Sequence, residues 1–188
     1  MSETLAAAMT EAEQALLCAA AAGAARMLEF GCGGSTALLL AAGTGCLLSV
    51  DSDAQWLVKV ARDHRGRRLA QHHADLGPCG DWGWPLSPPE PVVAWRYWGA
   101  PWVAMPEADF VLVDGRYRIA CALAAHGRLA PGGHLGVHDF WPRPVYQAAL
   151  APFFEVVGSA GTLALLQPRP VPGAALAEAR RACAADPR

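Results

Sequence analysis

Lysine is almost missing from this sequence. Lys59 stands alone, and arginine supplies the rest of the 15 basic residues, a compositional bias that points to no function. It leaves no lysine for a Tyr-x-x-x-Lys catalytic pair. An excess of positive charge is missing too. The net charge of -2 at neutral pH offers no electrostatic footprint for nucleic acid. None of the six cysteines (Cys18, Cys32, Cys46, Cys79, Cys121 and Cys183) forms a C-x-x-C pair, and most sit in apolar or alanine-rich segments. Buried thiols in a reducing compartment are therefore expected rather than a zinc site or a disulfide framework. No apolar run reaches the roughly 18 residues that a membrane span needs. The alanine-rich N-terminus carries Glu3, Glu11 and Glu13 without a basic stretch, so it does not read as a signal peptide. A cytoplasmic protein without membrane contact is expected.

What is present is enough for one core. The 188 residues are 53% hydrophobic and 17% charged, which excludes a disordered chain and suggests a single domain. Thr10 and Glu13 form a capping box for a helix over 10–22, stopped by Gly23. Strands are predicted over 26–30, 46–50, 67–74, 109–113 and 134–137. Helices are predicted over 35–42, 54–64, 119–126 and 145–150, with a turn at Pro131-Gly132-Gly133. Residues 153–166 read as a β-hairpin around Gly158-Ser159-Ala160-Gly161. A proline-rich tail with a short helix occupies 168–188, outside a single domain over 1–167. Between 77 and 106 the pattern fails. Trp82, Trp84, Trp95, Trp98 and Trp102 crowd an irregular segment rich in proline and glycine, with room for a short helix, lying over the site. Core packing is the plainer reading of these tryptophans, and stacking on an aromatic or sugar substrate is the other.

Strands alternating with helices, apolar on both faces, define an α/β chain. The expected architecture is a three-layer αβα sandwich around a mostly parallel, seven-stranded, Rossmann-like sheet, with one reversed strand in the C-terminal hairpin. Ligands of such sheets lie outside the carboxyl ends of the strands. Asp51, Asp75, Asp114 and Asp139 each close a strand and are expected along one rim. The most informative stretch is Leu28-Glu29-Phe30-Gly31-Cys32-Gly33-Gly34-Ser35-Thr36. Its glycines permit close approach to a ligand, and Ser35 opens a helix whose first N–H groups are free. Asp51, 20 residues after Gly31, suits the two hydroxyls of a ribose, although helix capping is open to it as well.

These motifs resemble those of the class I S-adenosylmethionine-dependent methyltransferases over roughly residues 10–167. The stretch 28–34 is similar to that family's glycine-rich first motif, and Ser49-Val50-Asp51 to the second, whose acid binds the ribose hydroxyls. Ala74-Asp75 resembles the third, whose acid reaches the adenine amino group. Residues 109–115 resemble the fourth, and Leu129-Ala130-Pro131-Gly132-Gly133 the turn before the fifth strand. The closing hairpin matches the family's reversed seventh strand. The resemblance implies S-adenosylmethionine held by Glu29, Gly31, Gly33, Ser35, Asp51 and Asp75. Two roles are open to Glu29: orienting the loop, or accepting a hydrogen bond from the cofactor's amino group.

Asp114, His138 and Asp139 are the candidates for positioning a nucleophile and removing its proton, with His138 a possible general base. In the branch of the family that methylates catechols, acids near these positions hold a divalent metal. Here His138 and Asp139 replace an Asp-Asn pair, and a metal site is not favoured. Arg116 and Arg118 are candidates to clamp an acidic substrate group. The N-P-P-Y motif of base N-methylation is absent. The expected function is methyl transfer to an oxygen or nitrogen atom of a small-molecule or sugar acceptor. The alternative is a non-catalytic S-adenosylmethionine-binding module that works with a protein partner, and a homodimer is a further expectation. A nicotinamide-dependent oxidoreductase fits less well, because Thr36 stands where the third glycine of G-x-G-x-x-G would fall.

Overall fold

The computed structural model describes residues 5–64, 66 and 68–188. Thr10 caps α1 (Glu11–Ala21) through the expected capping box: Glu13 N–H donates to the Thr10 hydroxyl, and the Thr10 N–H donates to the Glu13 carboxylate at 2.7 Å. Next come β1 (Arg26–Phe30), α2 (Gly34–Ala42), β2 (Cys46–Asp51) and α3 (Ala54–Asp63), the last capped by the Asp53 side chain. β3 spans Leu69–His73; Arg67, where a strand was expected to start, lies outside the described residues.

The stretch 77–106 is more ordered than expected. After a 3-10 turn at Asp81–Gly83 it forms α4 (Pro91–Trp98) and α5 (Pro101–Ala104). Both helices have proline in the first turn, where its missing N–H would be unpaired in any case. Then follow β4 (Ala108–Val113), α6 (Arg118–Ala125), β5 (Leu129–Val137), α7 (Pro144–Leu150), β6 (Phe154–Ala160), β7 (Leu163–Pro168) and α8 (Gly173–Cys183). The turn expected at 131–133 is instead a bulge inside β5, with Ala108 opposite Leu129 but Phe110 opposite His134. The hairpin turn is tighter than expected: β6 continues to Ala160, and Gly161 takes φ +50°.

The seven strands form one sheet in the order β3-β2-β1-β4-β5-β7-β6, with β7 antiparallel to both neighbours. Strand order reverses between β1 and β4, which creates the crevice where α/β sheets bind ligands. The register aligns that rim. Phe30 lies opposite Val50 and Val113, and Val113 opposite Val137. The ladder runs one residue further through Gly31 N–H to Val50 O, Asp114 N–H to Phe30 O and His138 N–H to Val113 O. Gly31, Asp51, Asp114 and His138 therefore form a single row.

Period-two alternation splits the core. Leu28, Phe30, Val111, Val113, Leu135 and Val137 face the layer that includes α4, α6 and α7. Met27, Leu47, Phe110, Leu112 and Leu165 face α1 and α2. The segment expected to be a tail is built into the first of these layers. Arg180 donates to the Leu123 and His126 carbonyls at 2.9 and 2.8 Å, satisfying the C-terminal end of α6, and Cys183 is buried. Among the described residues no helix is long and apolar enough to cross a membrane.

Candidate active site

The glycine turn is held from below by Glu29. Alternation along β1 puts this carboxylate on the α1–α2 face, under the first turn of α2, where it is completely buried. It accepts from Ser35 Oγ at 2.6 Å, Thr36 Oγ1 at 2.7 Å and Ser49 Oγ at 2.6 Å. Burial outweighs these three donors and raises its pKa to about 7. Two expectations are corrected here. Neither the Glu29 carboxylate nor the Ser35 hydroxyl is free to meet a ligand, because each is engaged by the other inside the protein. Of the two roles open to Glu29, the structure shows the orienting one.

Gly31 adopts φ +89°, and a Cβ there would lie 2.5 Å from the Cα of Gly115. The β1–α2 and β4–α6 turns thus touch backbone to backbone across the crevice. Gly31→Ala is expected to destabilise the protein by about 2–4 kcal/mol, through both positive φ and overlap, measured as a shift in the urea midpoint. An unchanged midpoint would show that the two turns can part freely.

Asp51, half-buried at the end of β2, accepts from Cys32 N–H at 3.2 Å and Asp53 N–H at 3.0 Å, one on each oxygen. Burial raises its pKa, against these backbone donors. The Cys32 thiol is a further, weak donor to Oδ2 at 3.7 Å, and Oδ1 keeps a lone-pair direction for a ligand hydroxyl. Helix capping falls to Asp53, whose carboxylate accepts from Gln55 and Trp56 N–H. Trp56 also donates to the Cys32 carbonyl at 2.7 Å and flanks the glycine turn. Asp75 is exposed, one strand further along, and accepts from Gly77 N–H at 2.9 Å in a tight turn.

Asp114, His138 and Asp139 do come together, but Arg118 lies among them. Its guanidinium is buried and donates to the carbonyls of Asp114 at 2.9 Å, Gly115 at 3.0 Å and His138, and to Asp139 Oδ2 at 3.3 Å. It also lies 3.4 Å from Asp114 Oδ1. Arg118 is therefore a brace between the β4 and β5 turns and not a substrate clamp, which corrects that expectation. It also places a cation between the two carboxylates. Among the described residues no three His, Cys, Asp or Glu side chains are arranged to hold a metal ion.

The general-base expectation for His138 is corrected as well. Its Nδ1 is 3.0 Å from Asp114 Oδ1, its Nε2 is 3.7 Å from Glu13 Oε1, and the residue is only 8% exposed. Burial opposes the imidazolium, but the hydrogen bond to Asp114 and the charges of Asp114, Asp139 and Glu13 prevail and raise its pKa. A ring held between two carboxylates has no basic nitrogen turned to the rim. Glu13 was legible only as a capping residue. It also accepts from Thr162 N–H and Oγ1, joining α1 to the hairpin. Burial disfavours its charge, yet these bonds and those from Thr10 bring its pKa down to about 2.

Tyr97 and Trp84 complete the rim. Tyr97, fully buried on α4, accepts from Arg116 N–H at 3.1 Å and packs on Phe30 and Tyr117. The Arg116 guanidinium lies 5.3 Å over the Trp84 ring. The proline positions that open α4 and α5 were the signal that could have revealed this helical cover. Of the other tryptophans, Trp102 packs in the core, whereas Trp82 is 89% exposed. The described non-glycine residues with positive φ are Trp82, Tyr117 and Asp139, in the segments beyond β3, β4 and β5.

Searches of protein-family models and of curated proteins find no match. Solved structures do match. A methyltransferase-like protein from Silicibacter pomeroyi DSS-3 is 29% identical, with a TM-score of 0.84, over 98% of this chain and 99% of that one. The N-methyltransferase NodS from Bradyrhizobium japonicum WM9, in complex with S-adenosyl-L-homocysteine, is 15% identical with a TM-score of 0.55 over 84% and 85%. A ribosomal protein L11 methylase from Lactobacillus delbrueckii subsp. bulgaricus is 14% identical with a TM-score of 0.58 over 88% and 82%. The chain has the class I S-adenosylmethionine-dependent methyltransferase-like fold. Within that class its similarity is nearly full-length to a methyltransferase-like protein.

Proposed function

We propose that this protein is an S-adenosylmethionine-dependent methyltransferase acting on an oxygen or nitrogen atom of a small-molecule or sugar acceptor. The observation that supports it most is the Asp51 carboxylate, fixed on the glycine turn in the same row as Gly31 and Asp114. The residues fit such a cofactor: Gly31 and Gly33 carry no side chain at the turn, Asp51 would take the ribose hydroxyls, and Asp75, beyond it, would reach the adenine. Bound there, the cofactor supplies a methyl group on a sulfonium that leaves as a neutral thioether. The protein's task is then mostly placement. Asp114, a quarter exposed and anchored by His138 and Arg118, accepts the hydrogen bond of the acceptor's O–H or N–H and orients its lone pair. Asp139, tied to Arg118 and Arg143, holds the β5 side of the rim.

Calorimetric titration with S-adenosylhomocysteine, with NAD as the control, tests the reading. Micromolar binding is expected. Asp51→Ala should weaken it by about tenfold or more, the worth of hydrogen bonds to a charged acceptor. Failure of the folded protein to bind, or preference for NAD, overturns the assignment. Binding without turnover on any acceptor favours the non-catalytic module.

A further inference from the structure

Arg116 stands apart from every other charge at the rim. Arg118, two residues on, is buried among carbonyls and carboxylates, and Arg143 is paired with Asp139. The Arg116 guanidinium has no hydrogen bond or ion pair among the described residues, and its Nε is buried without a partner. It is held in place nevertheless: its backbone N–H donates to the Tyr97 hydroxyl, and its guanidinium carbon lies 5.3 Å over the Trp84 ring. Desolvation, followed by the nearby charges of Arg118 and Arg143, disfavours its cationic form. A half-buried guanidinium that is fixed, desolvated and unpaired is unfavourable unless an anion joins it. Its planar fork of donors matches a carboxylate. The position is suitable, since Arg116 follows Gly115, whose backbone touches Gly31.

We propose that Arg116 receives the carboxylate of a molecule bound at the rim. This deepens the methyltransferase reading and rests on it. Two carboxylates have access to that place: that of the amino-acid end of the cofactor, and one carried by the acceptor. Either way Arg116 alone provides the anion site that the sequence had divided between Arg116 and Arg118.

The full chain and its Arg116→Gln and Arg116→Lys variants are titrated with three probes. These are S-adenosylhomocysteine, methylthioadenosine (which lacks the amino-acid end), and benzoate added to protein saturated with S-adenosylhomocysteine. Binding is followed by calorimetry and by the Arg Nε–H resonance that Arg116→Gln removes. If the carboxylate is the cofactor's, Arg116→Gln weakens S-adenosylhomocysteine by about tenfold or more and leaves methylthioadenosine unchanged, with Arg116→Lys between. If it is the acceptor's, S-adenosylhomocysteine affinity is unchanged, while benzoate shifts the Nε–H resonance of the saturated wild-type protein. If neither carboxylate moves that resonance or depends on Arg116, the residue only packs on Trp84 and the proposal is wrong. The methyl-donor reading fails separately: neither nucleoside binds, whereas benzoate alone still reports on Arg116. Thermal unfolding of each variant verifies that it is folded.

Discussion

Glu29→Ala is expected to lower stability by about 3–5 kcal/mol and to abolish S-adenosylhomocysteine binding, although the side chain touches no ligand. Removing it leaves the hydroxyls of Ser35, Thr36 and Ser49 buried without an acceptor, and these hydroxyls tie the first turn of α2 to β1 and β2. Glu29→Gln keeps the shape and one acceptor oxygen, so it should fold with a loss of about 1 kcal/mol. The two forms differ in their response to pH. The carboxyl titrates near 4.5 in the unfolded chain and about 7 in the folded one. Its stability contribution is therefore complete below 4.5, declines as pH rises through 7, and is constant above. The wild-type protein should lose more stability than Glu29→Gln between pH 5 and 8, as measured by urea midpoints. Parallel pH profiles would mean that Glu29 is already ionised in the fold at pH 5.

Arg118→Met should be the next most damaging change, with a loss of about 3 kcal/mol after allowing for the part-exposure of its acid partners. It strands the carbonyls of Asp114, Gly115 and His138 and removes the cation between Asp114 and Asp139. In a chain of this size the melting temperature should drop by about 6–12 °C. Arg116→Met, two residues earlier, breaks no hydrogen bond and should alter stability by less than about 1 kcal/mol. Equal losses in the two variants would contradict the division of labour between these arginines. Calorimetric melting of both variants decides the matter.

The alternation of apolar strands with capped helices was local information, and it located β1 to the residue. α2 and α3 matched to within a residue at each end. The strand-closing acids were visible for the same reason, because period and punctuation belong to neighbouring residues. The seven strands and the reversed one in the closing hairpin followed from the motif resemblance, whereas the order of the sheet is seen only in the structure. Local patterns failed between 77 and 106, where prolines that begin α4 and α5 resembled the prolines of a loop, and the docking of α8 gave no signal in its composition.

What the sequence by itself determined was the α/β class, the glycine turn and the row of acids beyond the strands. What only the tertiary structure decided was the job of each polar side chain in that row. Glu29 lies one residue before the end of β1 and Asp51 ends β2, yet one is sealed under α2 while the other faces the rim. Arg116 and Arg118 sit two residues apart, yet Arg118 braces two turns while the Arg116 guanidinium lies on Trp84 with no hydrogen bond or ion pair among the described residues. Side-chain direction, burial and the identity of long-range neighbours separate these roles. None of them is a property of the residues next in the chain, because they arise only when β1, β2 and α2, and beside them β4, β5 and α4, are packed together.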